Sequence, residues 1–596
     1  MTRSGEIHHI HRAPGAREKQ REKVLHSIKS LLRRRRRGFL NIVNGTPHDW
    51  VVASTQQSNM RSWNSEWQPK GKYLRIPKKG GTRRLYIEWG SGAEPGGDVT
   101  IQMEGTDYVF VLHAWSNHGF YIWAEFQTFS VQGYAQGAND YGVALNINWI
   151  NDGDVAFILC GDNPDNFFPS NGPVDWMQAS LKTIGGRPLR KLCMPGSHDS
   201  GMAIKNGPGT VAATLDNCLN QWQNIHGQLV AGARYFDIRP CIGKGSNGNP
   251  NEIMCGHYSN TNISNLKWQG MSGEYLQSVI DSINRFLADE GNKELVIINL
   301  SHAYNTNYEW YRDFTPEEWE KVFDMLTDTK TGLKYLWKLP KGVPGQDPVT
   351  TPIWNIPLEK FIGNSAAVIV ISENLTIASD SRFAGQGIFN RSQYDVKNEY
   401  SNSDNIKYIM EDQFWKMFRH GFSTNQLFLL SWTYSLQGAG NLIQVLRKKA
   451  DEMNRPIYST VPPKCNPQTF PNILYIDSIG GWRKREKDNG MNSDQGYYSW
   501  QGRNMASLAM AINWITTWND GPGADNVGSS LQEQWEPLYA EMEDVQIAIA
   551  KFEQDPNSSD EHDQLYLQLL QKKHELQAQM DKIHAREKTH YGMDAS

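Results

Sequence analysis

Between residues 176 and 528 short apolar runs alternate with amphipathic stretches, and this alternation constrains the fold more than any other feature of the chain. The strand candidates are Leu189 to Met194, Ala233 to Arg239, Glu252 to Cys255, Glu294 to Leu300, Ala367 to Ile371, Leu427 to Ser431 and Asn472 to Ile476. Between two of them Leu276, Val279, Ile280, Ile283, Phe286 and Leu287 recur at helical spacing and mark one apolar face. Repeated βα units of this kind predict an α/β fold, a TIM-type (β/α) barrel, with long loop insertions at 303–360 and 373–425. Loops of that length gather around the substrate mouth of such barrels.

The flanks read differently. Residues 1–37 are polar and basic and end in the run Arg33 to Arg37, after Val24, Leu25, Ile28, Leu31 and Leu32 on one face of a helix. Such a leader suits an anionic membrane, a nuclear address or a solvated, partly disordered segment. His8, His9 and His11 are an exposed cluster of the kind that binds metal adventitiously. Residues 38–165 carry short segments such as Leu85 to Trp89, Val99 to Met103 and Tyr108 to Leu112 between glycine-rich turns, the pattern of an all-β sandwich. Trp50, Trp63, Trp67, Trp89, Trp115, Trp123 and Trp149 fall here, as core or as an aromatic surface for lipid or sugar. The layout resembles aegerolysin-like and actinoporin-like lipid-binding sandwiches. Residues 529–596 are rich in Glu, Gln and Lys, and the turn Asp555 to Asp560 divides two helical stretches, 530–553 and 560–588. A helical hairpin is expected, to pack on the barrel, self-associate or bind another protein.

A net charge of −4 over 596 residues gives no whole-molecule attraction to nucleic acid, so no nucleic-acid partner is expected. Cys160, Cys193, Cys218, Cys241, Cys255 and Cys465 form no CxxC pair and no zinc spacing, and free thiols suit a reducing compartment. Neither an apolar leader segment nor an apolar run of about 18 residues occurs, which points to a cytoplasmic or peripheral membrane location.

The run Met194-Pro195-Gly196-Ser197-His198-Asp199-Ser200 is followed by Tyr235-Phe236-Asp237-Ile238-Arg239 and then by Gly256-His257. A histidine beside a carboxylate can take a proton from a hydroxyl, and an arginine can hold the phosphate which that hydroxyl attacks. His198 follows the first strand, Asp237 and Arg239 share one face of the second, and His257 is expected to close a third. His257 is then the candidate to protonate a leaving alcohol.

Residues 189–302, with these motifs and Gln228-Leu229 and Gly232-Ala233-Arg234, resemble the X region of the phosphatidylinositol-specific phospholipase C superfamily, in its bacterial and fungal single-barrel form. Asn472 to Asp477 resembles the family's last barrel strand, and the likeness extends over roughly the middle three-fifths of the chain. The resemblance implies that Asp477 orients His198 as general base, Arg239 stabilises the phosphoryl charge, and His257, coupled to Asp199, acts as general acid. Asp237 would orient Arg239 or His257. The implied product is a cyclic phosphodiester from a phospholipid or other phosphodiester with a neighbouring hydroxyl. No cofactor is implied: Arg239 stands where calcium-dependent relatives place a carboxylate, and a cation beside a guanidinium is repelled.

Three departures bear on substrate. The family's His-Gly order is reversed in Gly256-His257, Ser372-Glu373-Asn374 stands where a basic residue is usual, and Asp412 matches a hydroxyl-binding aspartate across a long insertion. His302 ends a strand, to line the site or to support it. The rival reading is a catalytically inactive lipid- or glycan-binding protein that keeps the barrel and sandwich as a recognition scaffold; a third is an interaction protein organised by the C-terminal hairpin.

Overall fold

In a computed structural model the described residues are 36–517, except 91–93, 117–119, 134–144, 261–267, 290, 309–310, 341–344, 422–425, 436–444 and 482–501, together with parts of 538–549 and the helix at 560–590. Eight short strands build the central sheet: β1 (Met194–Ser197), β2 (Tyr235–Ile238), β3 (Leu295–Leu300), β4 (Ala367–Ser372), β5 (Ile388–Asn390), β6 (Val396–Asn398), β7 (Leu427–Trp432) and β8 (Ile473–Ile476). Their order is β5-β4-β3-β2-β1-β8-β7-β6, and every pairing is parallel. Chain order therefore runs around a curled sheet, with β1 paired to β8 and the two edges at β5 and β6. This is the strand order of a (β/α) barrel with one open seam. The strands are apolar without alternation, as in Ala-Val-Ile-Val-Ile-Ser of β4, because their residues are buried on both faces of the sheet. All six apolar residues expected on the helix Leu276–Leu287 are buried.

Three details depart from the sequence expectation. Leu189–Lys191 is a turn of 3₁₀ helix, not strand, because the Asn472 amide donates to the carbonyls of Arg190 and Leu192 and holds the chain curled there. Glu252–Asn260 lies outside the barrel, in a five-stranded sheet with Pro240–Gly243, Trp268–Tyr275, Tyr304–Asn305 and Arg312–Asp313. Its antiparallel pairing with Pro240–Gly243 follows from the short Gly/Asn/Pro turn between them, which is too short for a parallel crossover. Strands β5 and β6, inside the 373–425 insertion, have three residues each and too little periodicity to be anticipated.

N-terminal to the barrel, a six-stranded antiparallel sheet and a four-stranded mixed sheet share one core that includes Trp50, Trp63, Trp67, Phe110 and Phe157. Val43, Ala156, Ile158 and Cys160 face the other way, into the core of the barrel. The helix Asn504–Ile515 lies at this junction and is buried on every side, which its apolar, moment-poor sequence requires. Its Asn513 amide bonds both the backbone N–H and the carbonyl of Cys193, just before β1. At Gly232 (φ 105°) a Cβ would come within 2.5 Å of Ala506, so this close approach needs glycine.

In the tail, Asp560–His590 is helical, Leu576 joins the barrel core, and Lys573 sits over the Tyr408 ring at 5.2 Å. Lys572 pairs with Glu541 at 2.7 Å. Most of the expected 530–553 stretch, the turn up to Ser559 and the basic leader up to Arg35 lie outside the described residues. No described helix is long and apolar enough to cross a membrane.

Candidate active site

At the carboxyl ends of β1, β2 and β8 the chain turns sharply, and each turn delivers a polar side chain. His198 and Asp199 follow β1, Asp237 lies within β2 and Arg239 just after it, and Asp477 follows β8. Asp199 adopts a left-handed backbone (φ 45°), as do His302 (φ 47°) after β3 and Ser478 (φ 55°) after Asp477. Left-handed conformations at non-glycine residues are costly, and three of them ring this mouth. The Asp199 turn is held by its own N–H, which donates to Asp237 Oδ2 at 3.1 Å, and by the Ser200 N–H, which donates to the Asp237 carbonyl at 2.9 Å.

The side chains form two His–Asp couples. His198 Nδ1 is 2.7 Å from Asp477 Oδ1, and His257 Nδ1 is 2.8 Å from Asp199 Oδ2. Carboxylates accept only, so each ring carries its proton on Nδ1 and presents Nε2 for exchange with a reactant. Arg239 binds Asp237 Oδ2 through Nε and one terminal nitrogen at 2.9 and 2.8 Å, and its other terminal nitrogen reaches Asp199 Oδ2 of the second couple at 3.4 Å. Asp237 is saturated further, by Tyr475 Oη at 2.6 Å and Ser301 Oγ at 2.8 Å. His198, His257 and Arg239 remain 18%, 22% and 18% exposed, whereas Asp477 and Asp199 behind them are buried at 0% and 1%. The acids form the floor and the groups able to meet a substrate form the surface.

The electrostatics follow from that layering. Burial works against the His198 imidazolium, yet the charge and hydrogen bond of Asp477 outweigh it and leave the His198 pKa above its ordinary value. Burial is the largest influence on Asp199 and Asp237 and opposes their ionisation, yet Arg239 outweighs it in concert with His257 and His198 at Asp199 and with His198, His302 and Tyr475 at Asp237, so both carboxyls stay below the usual range. His302 moves down, through burial and the nearby Arg239 charge.

No sequence motif marks Asn220. It is buried and follows the short helix Leu215–Cys218; its Nδ2 donates to Asp477 Oδ1 at 3.0 Å while its Oδ1 is 2.9 Å from His257 Nδ1. Tyr475 and Ser301 were also missed; for Tyr475 the inward face of β8 was the available signal. His257 reaches the site from the antiparallel strand Glu252–Asn260, not from a barrel strand end. His302 joins the edge of the site through Ser301 Oγ at 2.9 Å. Asp412 is placed elsewhere, buried on the helix Ile406–His420 and paired with Lys416 at 2.8 Å. Glu373, after β4, accepts from Asn299 Nδ2 at 2.8 Å and faces Arg391 at 3.4 Å, so an arginine following β5 accompanies the unexpected acid. Among the described residues no group of three or more His, Cys, Asp or Glu is arranged to hold a metal ion. Arg239 engages Asp199 and Asp237.

No family model matches the chain. Curated proteins named PI-PLC X domain-containing protein 3 are similar to it: that of Bos taurus is 30% identical over 196 residues, 28% of this chain and 54% of the relative. The Homo sapiens protein is 29% identical over 196 residues with the same coverage. The chain thus spans about half the length of the curated relatives it matches. Among solved structures, a mutant of phosphatidylinositol-specific phospholipase C from Staphylococcus aureus gives a TM-score of 0.36 at 14% identity, over 56% of this chain and 97% of that one. A second structure of the Staphylococcus aureus enzyme gives 0.36 at 15%, over 57% and 98%. By sequence, then, the chain is similar over 196 residues to proteins named for a PI-PLC X domain.

Proposed function

We propose that this protein is a phospholipase C-like phosphodiesterase that cleaves phosphatidylinositol-type phosphodiesters by metal-independent acid–base catalysis at a peripheral membrane surface. The observation that carries the reading is the pair of His–Asp couples beside Arg239, which contacts Asp199 of one couple and whose charge acts on His198 of the other. His198, held by Asp477, removes the proton from a hydroxyl adjacent to the phosphodiester. That oxygen attacks phosphorus, the P–O bond to the leaving alcohol breaks, and His257 supplies the proton the alcohol needs. Arg239 keeps guanidinium N–H groups beyond those spent on Asp237 and Asp199, and these meet the charge that grows on the phosphoryl oxygens. Asp237 acts by fixing the guanidinium. The product is a cyclic phosphodiester, with His198 and His257 able to exchange roles if water later opens it. In this reading residues 38–165 form a sandwich beside the barrel and the tail a helical hairpin against it. His302 stands as the substrate-side candidate, near enough to feel the Arg239 charge, while Asp412, buried and paired with Lys416, serves its own helix.

The test is phosphorus NMR of phosphatidylinositol vesicles incubated with the protein in EDTA, with His198→Ala and His257→Ala in parallel. A cyclic inositol phosphate from the wild type alone is the expected result. Turnover that survives both substitutions sinks the assignment, and turnover that needs an added divalent ion sinks its metal independence.

A further inference from the structure

We infer that Asn220 is a positioning residue that sets the two histidines at one fixed relation, so that base and acid can serve a single phosphorus atom; this rests on the phosphodiesterase reading of the site. The two His–Asp couples come from different parts of the fold, His198 and Asp477 from β1 and β8, His257 from the five-stranded sheet. Asn220 joins them: its amide donates to Asp477 on one side and accepts from His257 Nδ1 on the other, at 3.0 and 2.9 Å. The orientation of the amide is dictated by its neighbours. A carboxylate has no proton to give, so Nδ2 must face Asp477, and Oδ1 is then left for the His257 N–H. A single planar group therefore reads both couples at once.

Its own backbone is clamped. The Asn220 N–H donates to the Met202 carbonyl at 3.1 Å, and its carbonyl accepts from the Ser478 N–H at 2.9 Å, which ties the loop after β1 to the turn after β8. Gln221 reinforces this, donating through Nε2 to the His198 carbonyl at 2.8 Å and accepting from the Ile479 N–H at 3.0 Å. Asn220 is also 1% exposed, so an amide that lost either partner would pay the full cost of a buried, unsatisfied group. Nothing in this arrangement asks Asn220 to touch the substrate. It acts through the rings it holds.

Two substitutions separate a hydrogen-bonding role from simple packing. Asn220→Ala removes both bonds and volume; Asn220→Asp keeps the volume but replaces the donor facing Asp477 by an acceptor. Both are expected to lower kcat on phosphatidylinositol by about ten- to a hundred-fold, the range seen when a partner that orients a histidine is lost, with KM within about two-fold. In the substrate-free, ¹⁵N-histidine-labelled protein the downfield Nδ1–H resonance of His257 should move upfield or be lost to exchange in Asn220→Ala, which removes its amide acceptor, and should shift in Asn220→Asp, which replaces that acceptor by a carboxylate. That arm needs no turnover, so it still decides if the wild type proves inactive on phosphodiesters. If Asn220→Ala does not fold, Asn220→Asp carries the test alone. Wild-type kcat in Asn220→Asp, or an unmoved His257 Nδ1–H resonance in the folded variants, overturns the inference.

Discussion

Arg234 and Arg239 lie five positions apart, one just before β2 and one just after it, and each meets carboxylates, yet the two ends of the strand use them in opposite ways. At the amino end Arg234 is completely buried: Nε binds Glu294 at 2.7 Å, and the terminal nitrogens reach the carbonyls of Leu229, Ala233 and Val174. Glu294 is filled in turn by the N–H groups of Met177 and Gln178. Every group is satisfied and none faces a solute. At the carboxyl end Arg239 remains partly exposed, its bond to Asp199 is long at 3.4 Å, and Asp199 Oδ1 and Asp477 Oδ2 have no hydrogen-bond partner within the described protein. A closed ion pair serves the fold; an incomplete one leaves donors for a ligand. The contrast shows why charge content alone cannot distinguish a lock from a site.

The largest expected effect breaks the carboxyl end. His198→Ala and His257→Ala should each cut turnover by about 10²–10⁴-fold while urea midpoints stay close to the wild type, and Arg239→Gln should cut turnover by about 10²–10³-fold. A large loss of stability with little loss of activity would reverse the contrast. Arg234→Met should do the converse. It strands Glu294 in the core and should cost about 3–5 kcal/mol in urea unfolding, with turnover per folded molecule unchanged.

The acid limb of the pH profile sharpens the comparison. A general base works when neutral, and the His198 pKa is raised, so kcat/KM should begin to fall at a pH above the ordinary histidine range as the solution is acidified. Asp477→Asn removes the charge responsible, and the limb should move to lower pH; a limb that stays in place assigns it to another group. Glu274 provides the smallest test, as a buried carboxyl with no arginine at all. Burial pushes it up to about 8, with the Ile225 backbone pulling the other way. The folded state therefore holds a proton that the unfolded state releases, and stability should decline as pH rises from about 4.5 toward about 8, by up to about 1.4 kcal/mol per pH unit. Glu274→Gln should flatten that decline in urea titrations at pH 5 and pH 9. Parallel slopes in the two proteins would show that Glu274 is solvated.

Much of this could be read along the chain because the relevant physics is local. Runs such as those of β3, β4 and β7 are apolar without alternation, and that pattern belongs to strands covered on both faces. The spacing of Asp237 and Arg239 put both on one side of β2, and their contact follows. Three-residue strands carry no period, however, so β5 and β6 were silent. His257 was found by its motif but assigned to the wrong kind of strand, since the pairing partner of Glu252–Asn260 is chosen by turn length and not by its own composition.

By itself the sequence determined the βα repeat, the order of the strands in the chain, and the residue types that can move protons or hold a phosphate. The tertiary structure alone decided which of them meet. Asp477 reaches His198 across 279 positions and Asn220 reaches Asp477 across 257, distances at which no periodicity or spacing rule operates. Only the closure of β8 against β1, and the clamped loop that carries Asn220, bring those groups within hydrogen-bonding range, because a hydrogen bond depends on the path of the whole backbone and not on the residues that make it.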